Sequence, residues 1–196
     1  MPMSPDQAGG MGVRYAYKAS LIGSARQFEL TEQGLSWRIG GRSGLWNYSD
    51  IATVRLSYRP VSMQARRFRT DVRTDKGGRL TIFSTTWQTA ALMATQDSDY
   101  RAFIVALHQR MESAGSRAVL AGGLRPHVYA AAVACVVLLA IAMLGLLIRS
   151  IATGEWAGVL FLLGFAALFA WQVGGFIARN RPFHHAYDKL PKALLP

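Results

Sequence analysis

The chain has 196 residues, with 22 Lys and Arg against 11 Asp and Glu, a formal net charge of +11 and one cysteine. Hydrophobic residues make up 51% and charged residues 17%, against about 25% charge in an ordinary soluble domain, which excludes a disordered polyelectrolyte and points to one modest domain joined to an apolar segment. A single cysteine excludes an internal disulfide, and no Cys/His spacing fits a zinc cage. The positive charge calls for an anionic partner: nucleic acid, acidic protein or a membrane surface.

Residues 1–12 mix Pro2, Pro5, Gly9, Gly10 and Gly12 with no hydrophobic run that could act as a secretory signal, and read as a disordered lead-in. From Val13 onward, β-type runs alternate with polar or glycine-rich turns every eight to twelve residues, the spacing of antiparallel sheets. Seven strands are predicted, over 13–19, 27–31, 35–39, 44–48, 51–58, 67–74 and 79–85. In the third, Leu35, Trp37 and Ile39 fall on one face and Ser36 and Arg38 on the other. Three turns, 31–34, 40–43 and 75–78, place Gly where a positive φ is expected. The stretch 87–96 reads as a connection that holds at most a helical turn. Near Asp97 the period changes to about 3.6, with Asp97 or Ser98 as N-cap and Asp99 in the first turn. Tyr100, Phe103, Ile104, Leu107 and Met111 form the apolar stripe of the predicted helix, with Arg101, His108, Gln109, Arg110 and Glu112 mostly off it. The domain so defined spans 13–114.

A Gly- and Ala-containing linker, 115–126, leads to an apolar region, 127–178, read as a transmembrane helical hairpin. Its first uncharged stretch, 128–148, rises about 32 Å as a helix, against about 30 Å of hydrocarbon. The second is 156–178, and a loop of seven residues, 149–155, separates them. Arg117, Arg125, Arg179, Arg181, Lys189 and Lys192 lie on one side of the pair and Arg149 alone on the other, so both termini are expected in the cytoplasm. Residues 179–196 read as a cytoplasmic tail. Only Gln172 is polar within the second stretch, which argues against a transport path. Gly145, Gly174 and Gly175 offer places for close helix contact.

No nucleophile with a base, no paired carboxylates and no phosphate-gripping loop occurs at a meaningful spacing, so no catalytic residue, cofactor or enzyme activity is expected. Gly40-Gly41-Arg42-Ser43-Gly44 precedes a strand and reads as a hairpin turn. His184-His185 has no carboxylate or cysteine partner and reads as a solvated pair, so no metal is expected either. Asp71 and Asp75 read as charge balance for their basic neighbours.

The informative polar feature is basic. Between Ser36 and Leu80 stand ten Lys and Arg (Arg38, Arg42, Arg55, Arg59, Arg66, Arg67, Arg69, Arg73, Lys76 and Arg79) against three acids, Asp50, Asp71 and Asp75. Basic side chains held near an anionic leaflet contribute about 1 kcal/mol each, so the expected lipid- or partner-binding residues are Arg59, Arg66, Arg67, Arg69, Arg73, Lys76 and Arg79. The plain alternative is a set of solvated outer strand faces. Nucleic-acid binding is not expected, because Tyr58 and Phe68 show no repeated stacking pattern.

The segment Trp46-Asn47-Tyr48-Ser49-Asp50-Ile51, leading into the long strand that ends at Tyr58, resembles the strand entry of bacterial pleckstrin-homology-like (PH-like) domains. The resemblance covers 13–114, about half the chain. It implies a seven-strand barrel capped by one C-terminal helix, with Ile51 dropping into the barrel, and a scaffold that binds lipid headgroups, peptides or proteins without performing chemistry. The expectation is therefore an α+β, multi-pass protein of the bacterial inner membrane: an N-terminal PH-like barrel, then a transmembrane hairpin. Its domain would dock on anionic lipid or recruit a partner at the inner leaflet. The alternative is an accessory subunit of a larger membrane complex that grips a membrane-protein partner.

Overall fold

The computed structural model describes residues 12–20, 22–59, 66–89 and 92–196, so the expected disordered lead-in lies outside the described residues apart from Gly12. In chain order the strands are β1 (Val13–Tyr17), β2 (Arg26–Leu30), β3 (Gly34–Ile39), β4 (Arg42–Asn47), β5 (Ile51–Tyr58), β6 (Phe68–Thr74), β7 (Arg79–Phe83), β8 (Thr85–Trp87) and β9 (Met93–Thr95). Helix α1 (Asp97–Ser113), strand β10 (Val119–Gly122), helices α2 (Pro126–Ala152) and α3 (Trp156–Arg179) and strand β11 (Phe183–His184) follow. Short 3-10 turns occupy Tyr48–Asp50 and Lys192–Leu194. The architecture is α+β.

Each of the seven predicted runs overlaps one of β1 to β7, but the predicted barrel is not what forms. Eleven strands among the described residues pair as three sheets, in the orders β1-β2-β3-β4, β11-β10-β5-β6-β7 and β8-β9, and none closes on itself. Closure would need two seams: at one, β5 pairs with β10 and not with β4, and the other lies between β1 and β7. There, phenol rings stand where a backbone ladder would have to run: the Tyr15 hydroxyl donates to the Phe83 carbonyl at 2.6 Å, and the Tyr17 hydroxyl donates to that of Thr81. A second correction falls in 87–96, where β9 pairs antiparallel with β8 through Thr85↔Thr95 and Trp87↔Met93.

Alternation builds the core. Tyr15 and Tyr17, Phe28 and Leu30, Val54 and Leu56, Phe68 and Val72, and Leu80 and Ile82 point inward from successive strands. Ile51, expected in the interior, is 1% exposed. Helix α1 lays Tyr100, Phe103, Ile104, Leu107 and Met111 on this core, and a 2.6 Å hydrogen bond between the Tyr100 hydroxyl and Thr70 Oγ1 ties it to β6. The helix begins at Asp97 with Gln96 as N-cap, and no side chain caps it, in place of the expected Asp97 or Ser98. His108, expected off the stripe, is fully buried. Gly40, Gly41 and Gly77 take positive φ as the turns require. Gly34 does not; a Cβ there would stand 2.1 Å from the Trp46 carbonyl oxygen, so close strand approach is what demands glycine.

The chain divides into two units, residues 1–121 with 184–196, and residues 122–183. The predicted solvated tail is thus mostly a part of the N-terminal unit. Leu194 and Leu195 join the core, the Tyr187 hydroxyl donates to the Ser116 carbonyl at 3.0 Å, and Arg101 Nη1 donates to the Pro196 carbonyl at 2.8 Å. The predicted linker is ordered too: Leu120 and Ala121 in β10 are buried.

The second unit contains two helices long and apolar enough to cross a membrane, and none of the apolar window of either is buried by the rest of the protein. Helix α2 runs further than the predicted 128–148, so the connection shortens from seven residues to Thr153–Glu155. Gly158 packs on Ser150 near that connection, whereas Gly145, Gly174 and Gly175 meet nothing that a Cβ would touch, contrary to their expected role in close contact. Where the two helix ends return, Gly123 takes φ +79° and a Cβ would stand 2.3 Å from the Arg181 carbonyl oxygen, while the Leu124 amide donates to the Asn180 carbonyl at 2.9 Å.

Candidate functional site

The pleat of the second sheet decides which basic residues share a face. Along β6, Phe68, Thr70, Val72 and Thr74 are buried, so Arg69, Asp71 and Arg73 point outward. Register then sets Arg55 of β5 opposite Asp71, Ser57 opposite Arg69 and Thr53 opposite Arg73. On the other side, Arg79 of β7 faces Arg73, Thr81 faces Asp71 and Phe83 faces Arg69. Four arginines, Arg55, Arg69, Arg73 and Arg79, therefore lie on one sheet face around a single carboxylate.

Asp71 is the hub. Its Oδ1 accepts from Arg69 Nη2 at 2.8 Å, from Thr81 Oγ1 at 2.7 Å and from Arg79 Nη2 at 3.3 Å. Burial raises the carboxyl, but these hydrogen bonds and the two guanidiniums outweigh it and hold Asp71 below the usual carboxylate range. Its side chain is 14% exposed and that of Arg69 19%, so the pair is worth more than a rim salt bridge. Asp71 does balance its basic neighbours Arg69 and Arg79, and through Thr81 it also ties β6 to β7.

The remaining predicted residues separate. Arg59 begins the return from β5, its amide donating to the Arg67 carbonyl at 2.8 Å. Burial, with the charges of Arg69 and Arg79 nearby, lowers its basicity. Arg67 stacks over the Phe83 ring, its guanidinium 3.7 Å from the centroid. Lys76 stands apart in the β6–β7 turn, 3.8 Å from Asp50. Arg66 is exposed beside Asp97, whose carboxyl is raised by burial against the opposing pull of Arg66. The sequence reading missed Arg55, which it counted but did not select, and Arg26, whose Nη1 lies 3.5 Å from the Tyr17 hydroxyl at the start of β2. Arg26 belongs to a strand remote in sequence, and no local pattern marks it.

The first sheet is different. Its outer side carries Arg14, Gln27, Glu29, Ser36, Arg38 and Ser43 around an open groove of about 540 Å³, and Arg14 Nε pairs with Glu29 Oε1 at 2.9 Å. An apolar cleft of about 690 Å³ lies between α2 and α3, lined by residues such as Val136, Ala140, Ala166 and Gly174.

One cluster lies away from the arginine face. The rings of His108 on α1 and His185 after β11 lie tilted by 33° with centroids 5.8 Å apart, and the Tyr187 ring lies 6.3 Å from His108. His108 Nδ1 lies 2.8 Å from the Ile104 carbonyl, which can only accept, so Nδ1 carries a proton. Burial lowers the basicity of both rings, and the neighbouring His108 and His184 push His185 down further, to about 4. The expected solvated histidine pair is therefore split: His184 is exposed, whereas both ring nitrogens of His185 are buried. Among the described residues no group of three or more His, Cys, Asp or Glu side chains could hold a metal ion.

No family model, curated protein or solved structure matches this chain.

Proposed function

We propose that this is a multi-pass protein of the bacterial inner membrane, with both ends cytoplasmic, whose N-terminal PH-like domain docks through the outer face of its second sheet on anionic lipid headgroups. The observation that carries the reading is the register of Arg55, Arg69, Arg73 and Arg79 around one carboxylate. Three or four such side chains near an anionic leaflet would contribute roughly 3 to 4 kcal/mol, enough to orient a domain already tethered to the bilayer.

Three further observations support it. A four-strand meander, three more antiparallel strands and, after the short β8–β9 pair, one helix include the parts the PH-like resemblance implies. The described residues of 12–121 and 184–196 belong to one unit, which favours an even number of crossings by the intervening helices, because both chain connections then reach the same side. The six-to-one distribution of Lys and Arg about these helices favours the cytoplasm for that side. Docking needs no catalytic step.

The test uses the full chain in nanodiscs of phosphatidylcholine alone or mixed with phosphatidylglycerol. A spin label at Thr53→Cys, in a Cys135→Ser background, reports the second sheet, and one at Ser36→Cys reports the first. Broadening by a headgroup-anchored paramagnetic chelate at position 53, only with phosphatidylglycerol and reversed by salt, supports docking. Equal signals at 36 and 53, or no dependence on lipid charge, refute it and leave a protein partner as the occupant of the face.

A further inference from the structure

The arginine face ends at the unclosed seam between the sheets, and there the charges crowd. The Tyr17 and Phe83 rings meet edge to face, with centroids 5.8 Å apart. Around them stand Arg26, its guanidinium 6.0 Å from the Tyr17 centroid, and Arg67 and Arg69, 3.7 and 5.8 Å from that of Phe83. Arg26 comes from the first sheet, Arg69 from the second and Arg67 from the residue just before β6, so the convergence exists only in the folded domain. Asp71, the acid nearest to them on the face, already accepts from Arg69, Arg79 and Thr81.

Two of these guanidiniums are incompletely satisfied. The Nε–H groups of Arg67 and Arg69 are buried with no acceptor among the described residues, and a buried donor left without a partner costs about 1–3 kcal/mol. Burial and the charge of Arg69 also lower the basicity of Arg67. At the Tyr17 hydroxyl, burial raises the pKa, and the fields of Arg26, Arg67 and Arg69 all pull against it. The seam is a region of positive potential with spare donors and a deficit of negative charge.

We infer that Arg26, Arg67 and Arg69 form a binding site for a phosphate-type oxyanion, seated against Tyr17 and Phe83 at the seam between the sheets. Planar guanidinium forks suit the tetrahedral oxygens of phosphate, and charge-assisted hydrogen bonds to it are the strong class. The aromatic pair supplies a firm wall on which Arg67 is already stacked. The site sharpens the docking reading at one end of the face, since a lipid headgroup phosphate and free phosphate present the same chemistry.

The experiment measures thermal unfolding of the full chain in nanodiscs of neutral lipid, titrated with inorganic phosphate against chloride at matched ionic strength. Saturable stabilisation by phosphate is expected. It should weaken about tenfold or more in apparent Kd in Arg67→Gln and in Arg26→Gln, and stay unchanged in Arg38→Gln, which removes the same charge from the outer side of the first sheet. Arg67→Lys keeps the charge and loses the fork; it should also weaken phosphate, and it serves if Arg67→Gln unfolds. Stabilisation that is unsaturable, or lost equally in Arg38→Gln, overturns the site. A second arm replaces free phosphate with phosphatidylglycerol in the disc and reads the spin label at position 53. Phosphate binding without lipid-dependent broadening assigns the site to a soluble ligand and refutes docking, whereas broadening without saturable phosphate binding keeps docking and refutes the site.

Discussion

The two large sheets of the N-terminal unit are built on opposite plans. The first, β1 to β4, is a meander drawn from one continuous stretch, Val13 to Asn47, and its outer face is mixed in charge, with Arg14 paired to Glu29. The second takes β5 to β7 from one stretch and adds β10 and β11 from segments on either side of the helical pair, and its outer face gathers four arginines about Asp71. Locally paired, charge-balanced strands need no partner beyond their own core. A sheet finished by distant segments and left with surplus charge is where coupling to something else is to be sought.

Removing 184–196 breaks this contrast most severely. It deletes β11's second residue and two buried leucines, Leu194 and Leu195, each worth about 1.5–3 kcal/mol. A loss of roughly 3–6 kcal/mol is expected, and hydrogen exchange should speed in β5 and β6 well before β2 and β3. Uniform exchange in both sheets would mean that the sheets share their stability equally. A chain in which 123–182 are replaced by a short Gly/Ser connection should retain the stability that the truncation loses.

Asp71→Asn sharpens the electrostatic half of the comparison. It leaves Arg69 and Arg79 without their shared carboxylate, and because the site is mostly buried, a loss of roughly 2–3 kcal/mol is expected in denaturant unfolding. Because the folded-state pKa of Asp71 is depressed, its contribution is present at neutral pH and is lost as pH falls through the acid range. The same change removes the one acid of the face, so binding to anionic vesicles should strengthen while stability falls, a combination that a purely structural role does not give.

Neutralising Arg73 and Arg79 together should weaken docking of the tethered domain in anionic nanodiscs by about 2 kcal/mol, roughly thirtyfold in its equilibrium as read from the label at position 53, and leave neutral ones unaffected. The matched pair on the first sheet, Arg14→Gln with Arg38→Gln, should change it little. Equal losses from both pairs would reduce the face to general net charge.

The smallest effect is a pH dependence at the joint between α1 and the returning segment. His108 and His185 are held neutral in the fold, with His184, Tyr187 and the Ser116 and Ile104 carbonyls around them. The unfolded rings titrate near 6.5, so stability is complete above that value and declines as pH falls toward about 4, where the unfolded chain takes up protons that the folded one refuses. His185→Gln should flatten the slope in thermal melts between these limits, and an unchanged slope would place its origin elsewhere.

Much of the strand pattern was legible, because alternation in Leu35-Ser36-Trp37-Arg38-Ile39 and clear turn residues are local signals. The helix stripe is legible for the same reason, except at His108, a polar residue one turn after Ile104 whose position lies on the buried side. Strand β9 carries only Met93-Ala94-Thr95, too short to alternate. Leu194-Leu195 is a lone apolar pair among prolines, and its burial depends on contacts with residues far back in the chain. The same limit hid the site: the arginines were visible as a composition, but their common face depends on the β5–β6–β7 register, and Arg26 reaches the seam only through tertiary structure.

That the closing segment belongs to the N-terminal unit has a consequence for biosynthesis. Vectorial synthesis delivers residues 184–196 from the ribosome only after both apolar helices have emerged, so the domain that starts first is completed last. If the two helices insert as proposed, nascent chains that stall at the insertion machinery would expose an unfinished sheet to quality-control proteases, coupling survival of the N-terminal unit to successful integration without a separate sensor.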